Sequence, residues 1–377
     1  MIVQHPMLWC AAFLVAGIAV GLNFPLPYYL PLLAIMVIAC TLLRKTRHLY
    51  DVLTLLVWFL LGCSRAAIGN GEDSKSPFNG NNENGFSSAR SALVARLERS
   101  GVSQKTLALT SALTVGKKDG LEYETKEAYR KVGAGHLLAL SGLHLGIVYG
   151  ALYLVFIGWV RHTHWRWFAL PVILAFLWGY TLIAGMPVSL VRAALMLSIF
   201  TILSLMQYDT DPLHVLALSA IIILLIAPTD LLSVSFQLSF SAVFFILALW
   251  RPIQDSLPKL HWTVRLLAVS FVATLGTMPF VCYYFHRLPL LGPFLSLILI
   301  PLTTVIIYLT LAAMAFPFSF LGQTLNFAVS LQERILDFSG SIPHSILDGL
   351  YPSKTIVALM YGAMLMAIIR LRTRENA

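Results

Sequence analysis

The chain has 377 residues, 58% of them hydrophobic and only 11% charged, against about 25% charged in a soluble globular domain. With a mean hydropathy of +0.80, this composition excludes a soluble enzyme or binding module and requires an integral membrane protein. The net charge of +9 fits basic cytoplasmic loops and by itself selects neither anionic lipid nor nucleic acid as a partner.

Residues 1–43 contain no Lys, Arg, Asp or Glu. No basic stretch precedes the first apolar run and no small-residue cleavage site follows it, so a retained membrane helix is expected. Hydrophobic segments then run over 7–22, 27–43, 51–69, 135–160, 167–184, 187–206, 212–227, 231–250, 265–285, 290–316 and 354–371. The predicted fold class is an all-α polytopic membrane bundle. Several segments fall short of the ~20 residues a span needs. The longer 290–316 carries Pro293 and Pro301, so re-entrant pieces are expected where protein or water covers the backbone. The predicted regions are N-terminal membrane helices (1–69), an extracytoplasmic polar island (70–132) and a large membrane domain (133–377).

The island opens on "GNGEDSKSPFNGNNENG", which reads as a flexible loop. "SARSALVARLERSG" reads as an amphipathic helix with Leu93, Val94 and Leu97 on one face. "SQKTLALTSALTVG" and "LEYETKEAYRKVG" read as two more short helices. A further amphipathic stretch, 321–340, is expected at the membrane interface. The basic loops 44–48, 161–166 and 251–265 place the N-terminus in the cytoplasm and the island outside. That count puts the basic tail 370–374 on the wrong side, unless 290–316 re-enters or crosses twice, or 321–340 dips into the membrane. Cys10, Cys40, Cys63 and Cys282 all lie in apolar segments, where a thiol behaves as a small hydrophobe; neither a disulfide framework nor a Cys metal site is expected.

The chemistry concentrates in "HLLALSGLHLG" (136–146). Gly142, Gly146 and Gly150 form a small-residue stripe that invites close helix packing. Ser141 and His144, three apart, are neighbours on a helix face, and on a continuous helix His136 lies about 80° from His144. Interhelical hydrogen bonding, a polar pathway lining and Ser–His nucleophilic catalysis are the competing readings, the last needing an orienting third group that nothing nearby supplies. No metal is predicted, since no acidic residue or third His sits at ligand spacing. Arg192 either snorkels to the interface or faces inward toward an anion or carboxylate. Asp209 and Asp211 read as solvated loop carboxylates, or as two oxygens toward a hard cation. Gln237, among the alternating serines 233–241 that include Ser239, needs a partner or water. Pro279 breaks a helix ladder at a cavity or packing point.

Together "VGAGHLLALSGLHLGIV", "VSLVRAALM", "DTDPLHVLALSAIIILLIAPTDLLSVSFQLSFSAV" and "LGTMPFVCYYF" resemble the ComEC family of competence DNA-uptake channels over roughly 105–315. The resemblance implies a channel in the bacterial inner membrane that passes single-stranded DNA to the cytoplasm, with no catalysis or cofactor of its own. His136, Ser141, Gly142, His144, Arg192, Gln237 and Ser239 would line the path. Lys117, Lys118, Arg130 and Lys131 would meet DNA at the outer mouth, or simply form a solvated surface beside Glu122, Glu124 and Glu127. The family's OB-type and metallo-β-lactamase-like domains have no counterpart in the sequence, so a DNA receptor, a nuclease or a cytoplasmic translocase would be partners. The alternatives are a permease for another anionic solute and a non-transporting assembly subunit.

Overall fold

The computed structural model describes residues 6–23, 32–37, 47–69, 86–117, 120–138, 140–153, 166–206, 211–256, 261–342 and 346–375. The protein is an all-α membrane protein. Among the described residues, five helices are long and apolar enough to cross a membrane. The chain forms two compact units, residues 1–79 with 198–240 and residues 80–197 with 241–377. In the second, one hydrophobic core holds Leu97, Leu113 and Tyr129 together with Leu137, Ile306 and Leu325.

In the first unit, α1 (Pro6–Asn23) packs along α2 (Arg47–Gly69). The approach is very close. A Cβ on Gly17 would collide with the Phe59 carbonyl, one on Gly62 with the Leu14 carbonyl, and one on Gly21 would sit 2.8 Å from the Cys63 Cα. The Gly-x-x-x-Gly spacing of Gly17 and Gly21 is the signature of such contacts. Arg65 reaches the C-terminal carbonyls of the helix Pro212–Ile226 of the same unit, donating from Nε to Leu225 O at 2.6 Å and from Nη2 to Ile226 O at 3.1 Å. Those carbonyls lack helical partners and carry the negative end of the helix dipole, so a guanidinium satisfies both. Of segment 27–43, only residues 32–37 are described, as helix.

The second unit contains α3 (Ser87–Arg99), α4 (Gln104–Val115) and α5 (Tyr123–Lys131), the three helices predicted for the island. It continues with α6 (Gly135–Leu138), α7 (Gly142–Leu152) and α8 (Arg166–Ile183). Helix α9 (Val188–Leu205) leaves this unit for the first; there α10 (Pro212–Ile226) and a 3-10 turn (Pro228–Leu232) follow, and α11 (Val234–Ser256) leads back. The second unit closes with α12 (Trp262–Phe285), α13 (Gly292–Ala315), α14 (Ser319–Gly340) and α15 (Lys354–Glu375). One feature is not helical: β1 (Arg287–Pro289) pairs antiparallel with β2 (Ile346–Asp348), Leu288 opposite Leu347, with Arg287 Nε 3.2 Å from the Asp348 carboxylate.

The island helices do not stand apart. Tyr180 OH donates to Thr114 O at the end of α4 (2.7 Å), and Arg90 Nε donates to Ile183 O at the end of α8 (3.0 Å). Helix α14, expected at the membrane interface, packs along α13. The Phe316–Phe318 turn joins them, and Gln332 Nε2 donates to Thr303 Oγ1 at 2.9 Å, both side chains fully buried. Its inner face, Leu325, Val329 and Leu336, enters the core, while Phe320, Phe327, Leu331 and Phe338 stay exposed on the outer face.

Candidate functional site

The apolar run 135–160 is not one helix. It breaks between Leu138 and Gly142, where a short turn of helix (α6) has ended and α7 begins with Ser141 as its N-cap residue, at φ −120° and ψ 169°. Hydropathy shows no interruption there, so the expectation of His136, Ser141 and His144 on one continuous face is corrected: Ser141 is extended backbone and the two histidines belong to different helices. The cause is local. The Ser141 N–H donates to Nδ1 of His144, the third helical residue, at 3.1 Å, and the Ser141 hydroxyl lies 3.0 Å from the same nitrogen. This is the geometry of a capping box with imidazole in the usual Glu or Gln position. Ser189 Oγ of α9 donates to Leu140 O at 2.7 Å and satisfies the carbonyl exposed by the break.

These contacts fix the tautomers. Nδ1 of His144 accepts from an N–H, so in the neutral ring Nε2 carries the proton. His144 is fully buried, and among the described residues Nε2 has no hydrogen-bond partner. His136 shows the opposite arrangement. Its Nδ1 lies 3.1 Å from Gly133 O and must donate, which leaves Nε2 as an acceptor on an exposed ring. The two rings are close enough to interact electrostatically. A buried donor and an accessible acceptor therefore flank the break. The Ser141–His144 contact is a helix cap, and no described carboxylate holds the far side of the His144 ring, the third group that nucleophilic catalysis would need.

The first turns of α9 lie against this break. A Cβ on Gly142 would come 3.1 Å from the Cβ of Ala193. Arg192, next to Ala193, is 2% exposed; snorkelling to the interface is therefore excluded, and a permanent cation lies buried at the same helix end. The stripe is otherwise open: a Cβ on Gly146 or Gly150 would meet nothing within 4 Å. Their predicted packing role is corrected, because α7 meets α13 instead through Ile147, whose carbonyl accepts from Tyr308 OH at 2.9 Å.

Among the predicted mouth residues, Arg130 and Lys131 are exposed at the end of α5. A Cβ on Gly135 would meet the Arg130 Cγ at 3.6 Å, which places that side chain beside the entry to α6. Arg130 also lies 4.0 Å from Glu127. Lys117 is at the opposite end of α5, beside a cavity, and Lys118 lies outside the described residues. Gln237 and Ser239 belong to the first unit. Gln237 is in the first turn of α11, where Nε2 donates to Leu231 O at 3.0 Å; its partner is the preceding 3-10 turn. Asp211 caps α10, accepting from Leu213 N at 3.0 Å; Asp209 lies outside the described residues. Pro279 lies inside α12; on the turn before it, Gly276 O accepts from Tyr361 OH of α15 at 2.9 Å, and Gly276 has no room for a Cβ beside Phe245. Cys10, Cys63 and Cys282 are free thiols; Cys40 is outside the described residues. Sequence reasoning missed Arg65 and Arg90, whose roles rest on carbonyls far along the chain.

Comparison with known proteins agrees with this motif-centred reading. The profile of the family described as "Competence protein" matches residues 113–374. The chain is 33% identical to the ComE operon protein 3 of Bacillus subtilis over 52% of its own length and 24% of that protein's. It is 28% identical to the Recombination protein 2 of Haemophilus influenzae over 57% of its length and 30% of that protein's. An uncharacterized protein of Aquifex aeolicus is 27% identical over 66% of this chain and 57% of its own. The matches thus span about a quarter to just over half of these relatives. No solved structure gives a significant match.

Proposed function

The chain belongs to the competence protein family, and from that membership we propose that it forms the membrane path for single-stranded DNA entering the cytoplasm during competence. The observation that carries the reading is the break between α6 and α7, ahead of Gly142. It brings a buried imidazole donor, an accessible imidazole acceptor and a buried guanidinium to one helix end in a predominantly apolar layer. Polar groups at membrane depth are costly and mark pathways. A polyanion needs cations along its route, few enough that it can leave again. One buried Arg192, with Arg130 and Lys131 exposed at the entry to α6, meets that requirement. In this reading the protein conducts and does not cleave. Partners supply receptor, nuclease and motor, and the membrane is the bacterial inner membrane with the N-terminus in the cytoplasm. Counting α14 as a return passage alongside α13 then places the basic tail on the cytoplasmic side with the basic loops.

The test is uptake of labelled DNA into a nuclease-protected cytoplasmic pool, in wild type, a deletion strain, His144→Ala and Arg192→Ala, with membrane levels matched. Loss in all three altered strains is expected. Unchanged uptake in the deletion strain overturns the reading.

A further inference from the structure

Among the short helices of the polar island lies a cavity of about 390 Å³ between α3, α4 and the start of α5. That volume falls within the range of small-ligand sites. Its walls are mixed: Val94, Leu107 and Leu121 give it apolar surface, and Gln104, Ser111 and Thr125 give it polar surface. The wall also carries a chemical irregularity. On α4, Thr110 and Thr114 return their hydroxyls to the carbonyls of Thr106 and Thr110, at 2.6 and 2.7 Å. Ser111 does not. It is 3% exposed and lines the cavity, and among the described residues its Oγ has no hydrogen-bond partner. A buried hydroxyl without a partner costs about 1–3 kcal/mol, and a ligand's polar edge would remove that cost.

The lining also carries charge. Lys117 is on it, as is Glu122, the residue that precedes α5 and makes no side-chain capping bond there. The Lys105 ammonium, also on the lining, is engaged by Glu333 at 3.1 Å. Exposed Glu122 offsets part of the positive potential. A multiply charged free phosphate is therefore a poor match. The surroundings fit a unit with an apolar plane, a hydrogen-bonding edge and a single negative charge.

We propose that this cavity seats one nucleotide of the DNA strand, its base on the apolar part of the wall with an edge on the Ser111 hydroxyl, and its phosphate at Lys117. The proposal rests on the DNA reading above and adds to it a capture point ahead of the motif at 136–146. The test uses the full chain in lipid nanodiscs. Binding of fluorescent oligo(dT) is titrated against salt for wild type, Lys117→Ala, Ser111→Ala and Ala108→Trp, the last filling the cavity from its wall. In parallel, 5-iodouracil oligonucleotides are photo-crosslinked and the attached peptide is mapped. Crosslinks within 104–125 are expected, with affinity at least fivefold weaker in Ala108→Trp. Lys117→Ala, a half-exposed residue whose loss leaves the core intact, should lower the salt slope by about 0.7, the value of one phosphate contact on a single strand. Full affinity and an unchanged slope in these variants, or crosslinks confined to other segments, overturn the cavity assignment and leave the DNA reading standing. A wild-type protein that binds no oligonucleotide at any salt concentration removes both.

Discussion

Nδ1 of His144 accepts the Ser141 N–H across 3.1 Å, and the imidazole thereby presents its Nε2–H to a buried space. The ring has two separable roles, closing the α7 N-terminus and offering that donor. Gln at the same position keeps the first, because a capping box accepts Gln at this helical position, and removes the second. His144→Ala is expected to lower stability by about 1–2 kcal/mol. His144→Gln should melt close to wild type in detergent and yet lose DNA uptake. Wild-type uptake in a folded His144→Gln protein would reduce the residue to a helix cap.

The glycines divide by what surrounds them. A Cβ on Gly322 would collide with the Ser100 backbone where α14 meets the α3–α4 turn, whereas Gly146 and Gly150 face open space. Gly322→Ala is expected to cost about 1–3 kcal/mol by forcing two backbones apart. Gly146→Ala and Gly150→Ala should be neutral or stabilise by up to about 1 kcal/mol, the helix-propensity difference. Thermal melts of the three variants in one detergent separate the cases.

The sequence pattern revealed what is periodic and local. It located α1 to α5, the membrane helices α9 to α13, and the pairing of Ser141 with His144. It did not reveal the break between α6 and α7, because Leu137 to Leu140 are as apolar as their neighbours and the signal is a hydrogen bond three residues long. Nor did it show that α14 runs back along α13. Amphipathicity tells that one face of a helix is buried, and only Gln332 on Thr303 shows against what. The Gly-x-x-x-Gly of α1 and the glycine stripe at 142–150 have the same spacing, and only the former meets a neighbouring backbone. Arg65 on α10 and Arg90 on α8 are separated from their acceptors by 160 and 93 residues, beyond any local pattern.

Tyr361 and Pro279 form a second pair open to test. The proline removes one N–H from the α12 ladder, and Tyr361 OH from α15 bonds the neighbouring Gly276 carbonyl at 2.9 Å. Tyr361→Phe keeps the ring against Phe245 and Phe280 and loses the hydroxyl's hydrogen bonds, to Gly276 O and to its other neighbours, Ser241 among them. An expected loss of about 0.6–1.5 kcal/mol, read from thermal melting, would identify the hydroxyl as the tie between α12 and α15. No change would mean that ring packing alone holds them.

Tyr129 gives a prediction with a pH signature. Its ring is fully buried in the core shared by α5 and α14, and among the described residues its hydroxyl has no hydrogen-bond partner. Burial, and then the nearby Glu333 carboxylate, raises its pKa above the ordinary value of 10.0. The folded protein therefore holds the proton more tightly than the unfolded chain does. Below about pH 10 both states are protonated and the group adds no pH dependence; above it the unfolded tyrosine ionises first, so stability falls as pH rises. Tyr129→Phe removes an unsatisfied hydroxyl while keeping the ring, and is expected to leave stability at neutral pH unchanged or slightly higher. It should also flatten the decline in melting temperature between about pH 9.5 and 11 relative to wild type. Tyr129→Ala, which empties the core position, should cost about 3–5 kcal/mol. An equal alkaline decline in wild type and Tyr129→Phe would show that the hydroxyl reaches solvent and that the α5–α14 contact opens before the protein unfolds.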